Sequence, residues 1–455
     1  MARKQYRTWT PEQTNQLPPS PRDWLPESHL VHFVMDVVAE LDIREIDSVY
    51  QAKDHRGERP WDPRMMVSLL VYGYCIGVRS SRRLEKATYE DVAFRLLSGN
   101  TQPDHTAISE FRRVHLPALS GLFLQVLQLC QKAGMVKLGR VALDGTKVKA
   151  NASKHKAMSY AYMQRAEQEL RAEIDAMLAE AAAADTQEDA LHGRERRGDE
   201  LPKELQRRQE RLARIQAAKA ALEEDAKAAR EAVLAEREQA KNPPEEPPAP
   251  TLPTHQVRHD AEGKPKPDTQ RNFTDPESKI MKSGKDFVQA YNAQIVVDDA
   301  HQIIVAEALT NQAPDAQHFA AMMEKTEANC GARPVQTLGD AGYYSAENIG
   351  YCEARGMDAL ISVSREKHVL DDGQPIPEGD PRSAMRKKLR GPLGKPAYAR
   401  RKVIVEPVFG QIKSARGLRQ FLMRGLEKVR GEWTLDCLCH NMLKLFKFGQ
   451  ASSFA

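Results

Sequence analysis

Residues 337–348 read TLGDAGYYSAEN: a short apolar run ends in Asp340, and a glycine turn and a helix-like stretch follow. With Val335 and Leu338 before it, Asp340 stands where a strand runs out into a turn, the edge at which open α/β sheets bind ligands. Asp and Gly are also ordinary turn residues, so Asp-Ala-Gly alone specifies no more than a loop. Its meaning depends on whether other carboxylates converge on it.

The chain has 455 residues, room for about three domains. Apolar residues make up 41% and charged residues 29%, which fits a globular protein carrying one highly charged extended element. The first residues lack the apolar stretch of a secretory signal and no segment reads as a membrane span, so the expected location is the cytoplasm, at the nucleoid if the partner is DNA. Six scattered cysteines form neither a disulfide framework nor paired Cys-x-x-Cys motifs. Cys437, Cys439 and His440 cluster, but inside an apolar helical pattern that reads as core rather than metal site.

Residues 1–27 read as an N-terminal extension, and 28–135 as an all-α domain suited to DNA binding. There Asp62-Pro63 reads as a helix cap, TYEDVAFRLLSG as a helix ending at Gly99, and Asp104 or Thr106 as the cap of the next. Arg112 and Arg113 fit a helix-turn-helix layout, and equally a plain bundle with exposed arginines. Residues 136–156 include the strand VALDGTKVKA with Asp144 inside it, a residue that strands disfavour. Residues 157–241 are rich in Ala, Glu, Lys, Arg and Leu. Their seam of Leu205, Leu212, Ile215, Leu222, Ala226, Ala229 and Val233 predicts an antiparallel helical-hairpin, or coiled-coil, insertion. A linker, 242–269, leads to residues 270–449, which alternate strands with helices and end in a helix predicted to begin near Pro407.

One strand bearing Asp144, a hairpin (DFVQAYNAQIVVDD with HQIIVAEALT) and a fourth strand ending at Asp340 is the order of a ribonuclease H-like mixed sheet. In it the first and fourth strands adjoin, which brings together two aspartates 196 residues apart. Such a pair repels and persists when divalent cations bridge it. A third ligand is expected from YARRKVIVEPVFGQIK. Glu406 precedes Pro407 at the expected helix mouth, with Tyr398, Arg401 and Lys413 around it as phosphate contacts.

Together these motifs resemble the DDE transposases of bacterial insertion sequences. PWDPRMMVSLLVYGYCIGVRSSRRLE and QPDHTAISEFRRVH resemble that family's helical N-terminal domain. VALDGTKVKANASKHKAM, YNAQIVVDD, TLGDAGYYS and VEPVFGQIK resemble its catalytic core, and WTLDCLCHNMLKLFKF its final helix. The resemblance implies a divalent-metal-dependent enzyme in which Asp144, Asp340 and Glu406 hold two Mg²⁺ or Mn²⁺ ions. It would cleave a strand at the element's terminal inverted repeats and join the 3′-hydroxyl to target double-stranded DNA, with a homodimer pairing two ends. In the family's Tyr, Arg, Glu, Lys pattern three residues separate Arg from Glu. Here four separate Arg401 from Glu406, and Lys402 has the family's spacing. A ribonuclease H-like repair nuclease and a repurposed DNA-binding relative without catalysis stay open as alternatives.

Charge distribution points to a polyanion as well. Residues 382–430 hold fifteen Lys or Arg against Glu406 and Glu427, a local +13 within a net +4, so the remainder carries −9.

Overall fold

In the computed structural model, residues 20–51, 59–192, 203–241, 249–363 and 382–452 are described. The expected N-terminal extension up to residue 19, the hairpin turn at 193–202 and the linker residues 242–248 lie outside them. The chain divides into two units, Met1–Val126 with Leu438–Ala455, and Leu127–Cys437. Among the described residues no single helix is long and apolar enough to cross a membrane.

The first unit is helical: α1 Leu30–Glu40, α2 Arg44–Gln51, α3 Pro63–Cys75, α4 Ser81–Glu90, α5 Val92–Leu97, α6 His105–Val114 and the start of α7 Leu116–Lys132. Asp62 caps α3 by accepting from the amides of Arg64 (2.8 Å) and Met65 (3.1 Å), with Pro63 in the first turn, where no amide is needed. The run TYEDVAFRLLSG is two helices rather than one. Asp91 adopts extended backbone and caps α5 through Ala93 and Phe94. Asp104 caps α6. Arg112 is not an exposed DNA-facing side chain: it is 5% exposed and donates to Tyr74 Oη and to the Arg79 carbonyl, both at 3.0 Å. Residues from 438 onward group with this unit. Cys439 Sγ donates to the Val71 carbonyl and Phe446 packs on Phe33, so the cysteine and the buried His440 serve the interior.

The second unit begins with β1 Arg140–Lys149 and β2 Ala157–Ser159, then the hairpin α8 Tyr160–His192 and α9 Lys203–Lys241. β3 Gln270–Asn272, β4 Lys279–Ser283, β5 Asp286–Asp298, β6 Ile304–Thr310, α10 Phe319–Cys330, β7 Gln336–Gly339, α11 Ala346–Ala354 and β8 Asp358–Ile361 follow. α12 Ser383–Arg390, α13 Gly394–Gly410 and α14 Leu426–Ser452 complete the chain. The main sheet is mixed, ordered β4-β5-β1-β7-β8, with β6 also on β5. β5 is antiparallel to β1, β4 and β6, whereas β1, β7 and β8 run parallel. β4 and β6 share the edge of β5 opposite β1, one after the other.

The last helix before the C-terminal one does not begin at Pro407. α13 starts at Gly394 and Pro407 lies inside it. A proline there leaves the carbonyl four residues earlier without its helical donor. That carbonyl, of Val403, accepts instead from Gln302 Nε2 at 2.8 Å. A long-range contact thus relieves the local penalty on which the sequence expectation rested.

The insertion is an antiparallel helix pair: Tyr160 bonds Glu223, Glu167 meets Lys219 and Gln216, and Met177 meets Arg208. Leu205, Ile215, Leu222, Ala226 and Ala229 of the expected seam are buried. Its base is built into the core unit rather than appended to it. β2 pairs with β3, Tyr160 clusters with Leu222, Ala226 and Val257, and Phe273 packs against Met163, Ala166, Leu170 and Ile215. The separable part is therefore the distal one. Replacing residues 181–203 with a short turn should leave the melting temperature unchanged, whereas Tyr160→Ala should cost roughly 3 kcal/mol in denaturant unfolding. A truncated chain as unstable as Tyr160→Ala would refute this division.

Candidate active site

Register puts two aspartates level with each other. Val141 and Ala142 of β1 lie beside Thr337 and Leu338 of β7, and Asp144 and Asp340 each follow two residues beyond Ala142 and Leu338. Asp144 Oδ1 accepts from the Gly145 amide at 2.8 Å and Oδ2 from Arg401 Nη1 at 3.1 Å. Asp340 Oδ1 accepts from the Gly342 amide at 2.8 Å, which orders the turn after β7. The Asp144 side chain is only 19% exposed. Burial pushes its carboxyl up to about 6; Arg401 opposes the shift, and Asp340 and Asp315 add to it.

α13 packs against β1, β5 and β7 and presents the cations. Arg401 reaches Asp144, whereas Lys402, the alternative on spacing, is exposed. Burial disfavours the Arg401 charge, but Asp144, Tyr398 and Asp340 outweigh it, and its pKa rises. Its Nε is buried without a hydrogen-bond partner. Tyr398 shares hydrogen bonds with Arg401 and Ser362, and burial raises its pKa. Lys413 comes from the π-helical turn Gln411–Ala415 that follows α13, donating to Thr146 Oγ1 and to the Lys147 carbonyl. Burial lowers its pKa and Asp144 counters this. Glu406 is an exposed residue in the last turns of α13 rather than at a helix mouth. Among the described residues no three His, Cys, Asp or Glu side chains gather closely enough to hold a metal ion. The structure therefore assembles Asp144, Asp340, Tyr398, Arg401 and Lys413, and leaves Glu406 outside the tight group.

A polar layer behind the acids escaped the sequence reading. Asp315 Oδ1 accepts from Lys147 Nζ (3.0 Å), Asn292 Nδ2 (2.8 Å) and Gln294 Nε2 (2.9 Å), and Tyr343 Oη donates to Gln294 Oε1. Asn292, Gln294 and Tyr343 are fully buried. Two glycines admit this layer. A Cβ on Gly145 would overlap the Gln294 amide, and one on Gly342 would come within 2.9 Å of Asp340 Oδ1 and 3.4 Å of Asp315 Oδ2. The available signal was the alternation of Asn292 and Gln294 inside an apolar strand, because buried amides need internal partners.

The basic segment is not one surface. Lys388 pairs with Asp358 and donates to the Ala359 carbonyl, Arg400 pairs with Asp299, and Arg430 Nε donates to the Leu309 carbonyl. Arg416 is 5% exposed and donates to the Asp436 carbonyl. Much of the +13 excess is spent on internal contacts.

A raised carboxyl pKa has a definite sign in stability. Between about pH 4 and 6 the folded protein holds a proton on Asp144 that the unfolded chain has released, so stability falls as pH rises through that window. Asp144→Asn removes the titration. In chelator, the stability of Asp144→Asn relative to the parent should increase from pH 4 to pH 8 by up to about 3 kcal/mol. A pH-independent difference between the two unfolding curves would contradict the burial argument.

A family model described as "Transposase DDE domain" matches residues 252–442, and one described as "Transposase domain (DUF772)" matches residues 19–114. No curated protein and no solved structure matches the chain. The first match takes in Asp340, Tyr398, Arg401, Glu406 and Lys413 but begins after Asp144, which joins them through the pairing of β1 with β7. Transposase models at both ends of the sequence, and between them a mixed sheet that brings Asp144 beside Asp340, lead to one assignment: the chain belongs to the DDE transposase family.

Proposed function

We propose that this transposase cleaves DNA at the ends of an insertion sequence and joins the freed 3′-hydroxyl to target DNA, with Asp144, Asp340 and Glu406 as the acids that hold two divalent cations, Mg²⁺ or Mn²⁺. The observation that carries this reading is the level placement of Asp144 and Asp340 on adjoining parallel strands with Arg401 against them. The sheet order β6-β5-β1-β7-β8, with β5 the sole strand antiparallel to its neighbours β1 and β6, supports a ribonuclease H-like core.

The donor set fits hard cations. Carboxylate oxygens are their preferred ligands, and Asp144 is an acid whose charge is opposed by burial and by two neighbouring acids, and met in part by one guanidinium. Glu406 lies five residues beyond Arg401, about 7.5 Å along the axis of the helix that packs on β1, but on the exposed side that it shares with Lys402, so it is the acid that must turn toward the aspartates to join them. When bound, such ions activate a water or 3′-hydroxyl and stabilise the departing oxygen of an in-line displacement at phosphorus. The chain's own part is positional. Arg401 and Lys413 hold phosphate oxygens, with the unpartnered Arg401 Nε as a spare donor, and Tyr398 keeps Arg401 aimed. The layer around Asp315 fixes the turn carrying Asp340. Pairing two DNA ends calls for two protomers.

Reconstituted cleavage of a duplex carrying the element's flanking repeats tests the assignment. Asp144→Asn, Asp340→Asn and Glu406→Gln should each reduce cleavage in Mg²⁺ at least about a hundredfold while the protein stays folded. Ca²⁺ should permit binding with little cleavage. Near-parental cleavage by folded Glu406→Gln would remove that residue from the ligand set, and the same result for either aspartate would sink the mechanism.

A further inference from the structure

Beyond Asp144 the sheet face that carries it is buried, with Val148, Tyr291 and Gln289 under cover, and it opens to solvent again only at the far end of β5. Side chains alternate along strands, so Asp144, Thr146 and Val148 share a face with Tyr291, Gln289 and Phe287 of β5 and with Ile280 and Lys282 of β4. At its far end the β4–β5 turn, with Gly284 at φ +65, projects Lys282, Lys285 and Phe287, and Phe287 is 57% exposed. The exit of β1 adds the exposed Lys149, Lys154 and Lys156, and the segment before α14 adds Arg419 and Arg424.

These segments form one built surface. The Phe421 amide donates to the Lys149 carbonyl (2.9 Å), Gln420 Nε2 to the Ala150 carbonyl (3.0 Å), and Asn151 Nδ2 to the Leu422 carbonyl (2.8 Å). Arg424 Nε returns a bond to the Asn151 carbonyl (2.9 Å). A shallow groove of about 300 Å³ runs between Lys149, Lys154, Phe287 and Gln420. Across residues 149–156, 282–287 and 419–424 there are seven Lys or Arg and one acid, Asp286. A merely solvated charged face explains the lysines, but not a phenyl ring held in water among them. Cations around an exposed aromatic suit a ligand with phosphates outside and flat apolar surface within.

We infer that this surface, the β4–β5 hairpin with the β1 exit and residues 419–424, binds the phosphate backbone of duplex DNA that leads away from the acid pair, with Phe287 against sugars or base edges. The inference rests on the transposase reading and says which end of the sheet the DNA reaches beyond the acids. Phe287 lies eight residues along β5 from Ile295, the partner of Asp144, which is about 26 Å or roughly eight base pairs.

Binding of full-length protein to a long duplex of arbitrary sequence, measured in chelator across a range of salt, tests it. The triple variant Lys149→Glu, Lys282→Glu, Lys285→Glu should bind at least about tenfold more weakly, with the log affinity against log salt slope flatter by up to about 2.7. A charge-matched control, Lys132→Glu, Lys227→Glu, Lys264→Glu, should lose far less. Phe287→Ala should weaken binding with the slope unchanged. Equal losses in the two triple variants, or an unaltered slope in the first, would overturn the surface assignment while leaving the transposase reading intact. A parent that binds no duplex would overturn both. Preference of the parent for single-stranded competitor, abolished by Phe287→Ala, would overturn the duplex in favour of unpaired strands.

Discussion

Parallel pairing of β1 with β7 holds the carboxylates of Asp144 and Asp340 level on neighbouring strands, and the core is arranged around the electrostatic cost of that placement. A one-residue slip of either strand would carry its aspartate to the opposite face of the sheet, so register holds the pair together. Relief comes instead from α13, whose Arg401 bonds Asp144, and from the π turn beyond it, whose Lys413 bonds Thr146 on the same strand. One guanidinium for two acids leaves the pair under-compensated. Burial above all, with Asp340 adding to it and Arg401 opposing it, holds the Asp144 carboxyl well above the ordinary carboxylate range. On the proposed reading, cations would supply the positive charge that this acid pair lacks, and their absence costs some stability.

The same logic explains why so much polar chemistry is buried behind the site. Asp315 brings a further negative charge close to Asp144, but Lys147, Asn292 and Gln294 saturate it, and Tyr343 completes the chain of bonds. A half-satisfied network in a low-dielectric interior would be costly, whereas a satisfied one rigidifies the turn that aims Asp340. Gly145 and Gly342 are the points where backbone must pass close enough for those side chains to meet. The insertion fits this scheme: it leaves the sheet after β1, returns before β4, and is tied at its base by the β2–β3 pair.

Positive charge in residues 382–430 serves two different purposes. Arg401, Arg416 and Lys388 make contacts inside the fold or along its edge, and Arg419 and Arg424 lie exposed beside the β1 exit, near lysines from elsewhere in the chain. A basic stretch in sequence and a basic surface in space are thus different objects, because a helix alternately presents its residues inward and outward.

The amino-acid sequence determined the features that near neighbours control. The caps at Asp62 and Asp104, Asp144 inside a strand, Asp340 where a strand gives way to a turn, the hairpin seam and the grouping of Tyr398, Arg401 and Lys413 are all legible in it. Only tertiary structure decided the rest. Pro407 sits inside a helix, with the Val403 carbonyl that it deprives of a donor satisfied by Gln302, 101 residues before Val403 in sequence. Arg112 is a core residue because Tyr74 and the Arg79 carbonyl receive it, and Arg401 rather than Lys402 meets Asp144 because the face of α13 that packs on β1 selects it. Asp315 becomes visible only once three partners from two strands converge on it. Local pattern sets which element a residue belongs to; burial and partnership depend on long-range pairing, which carries no short-range signature.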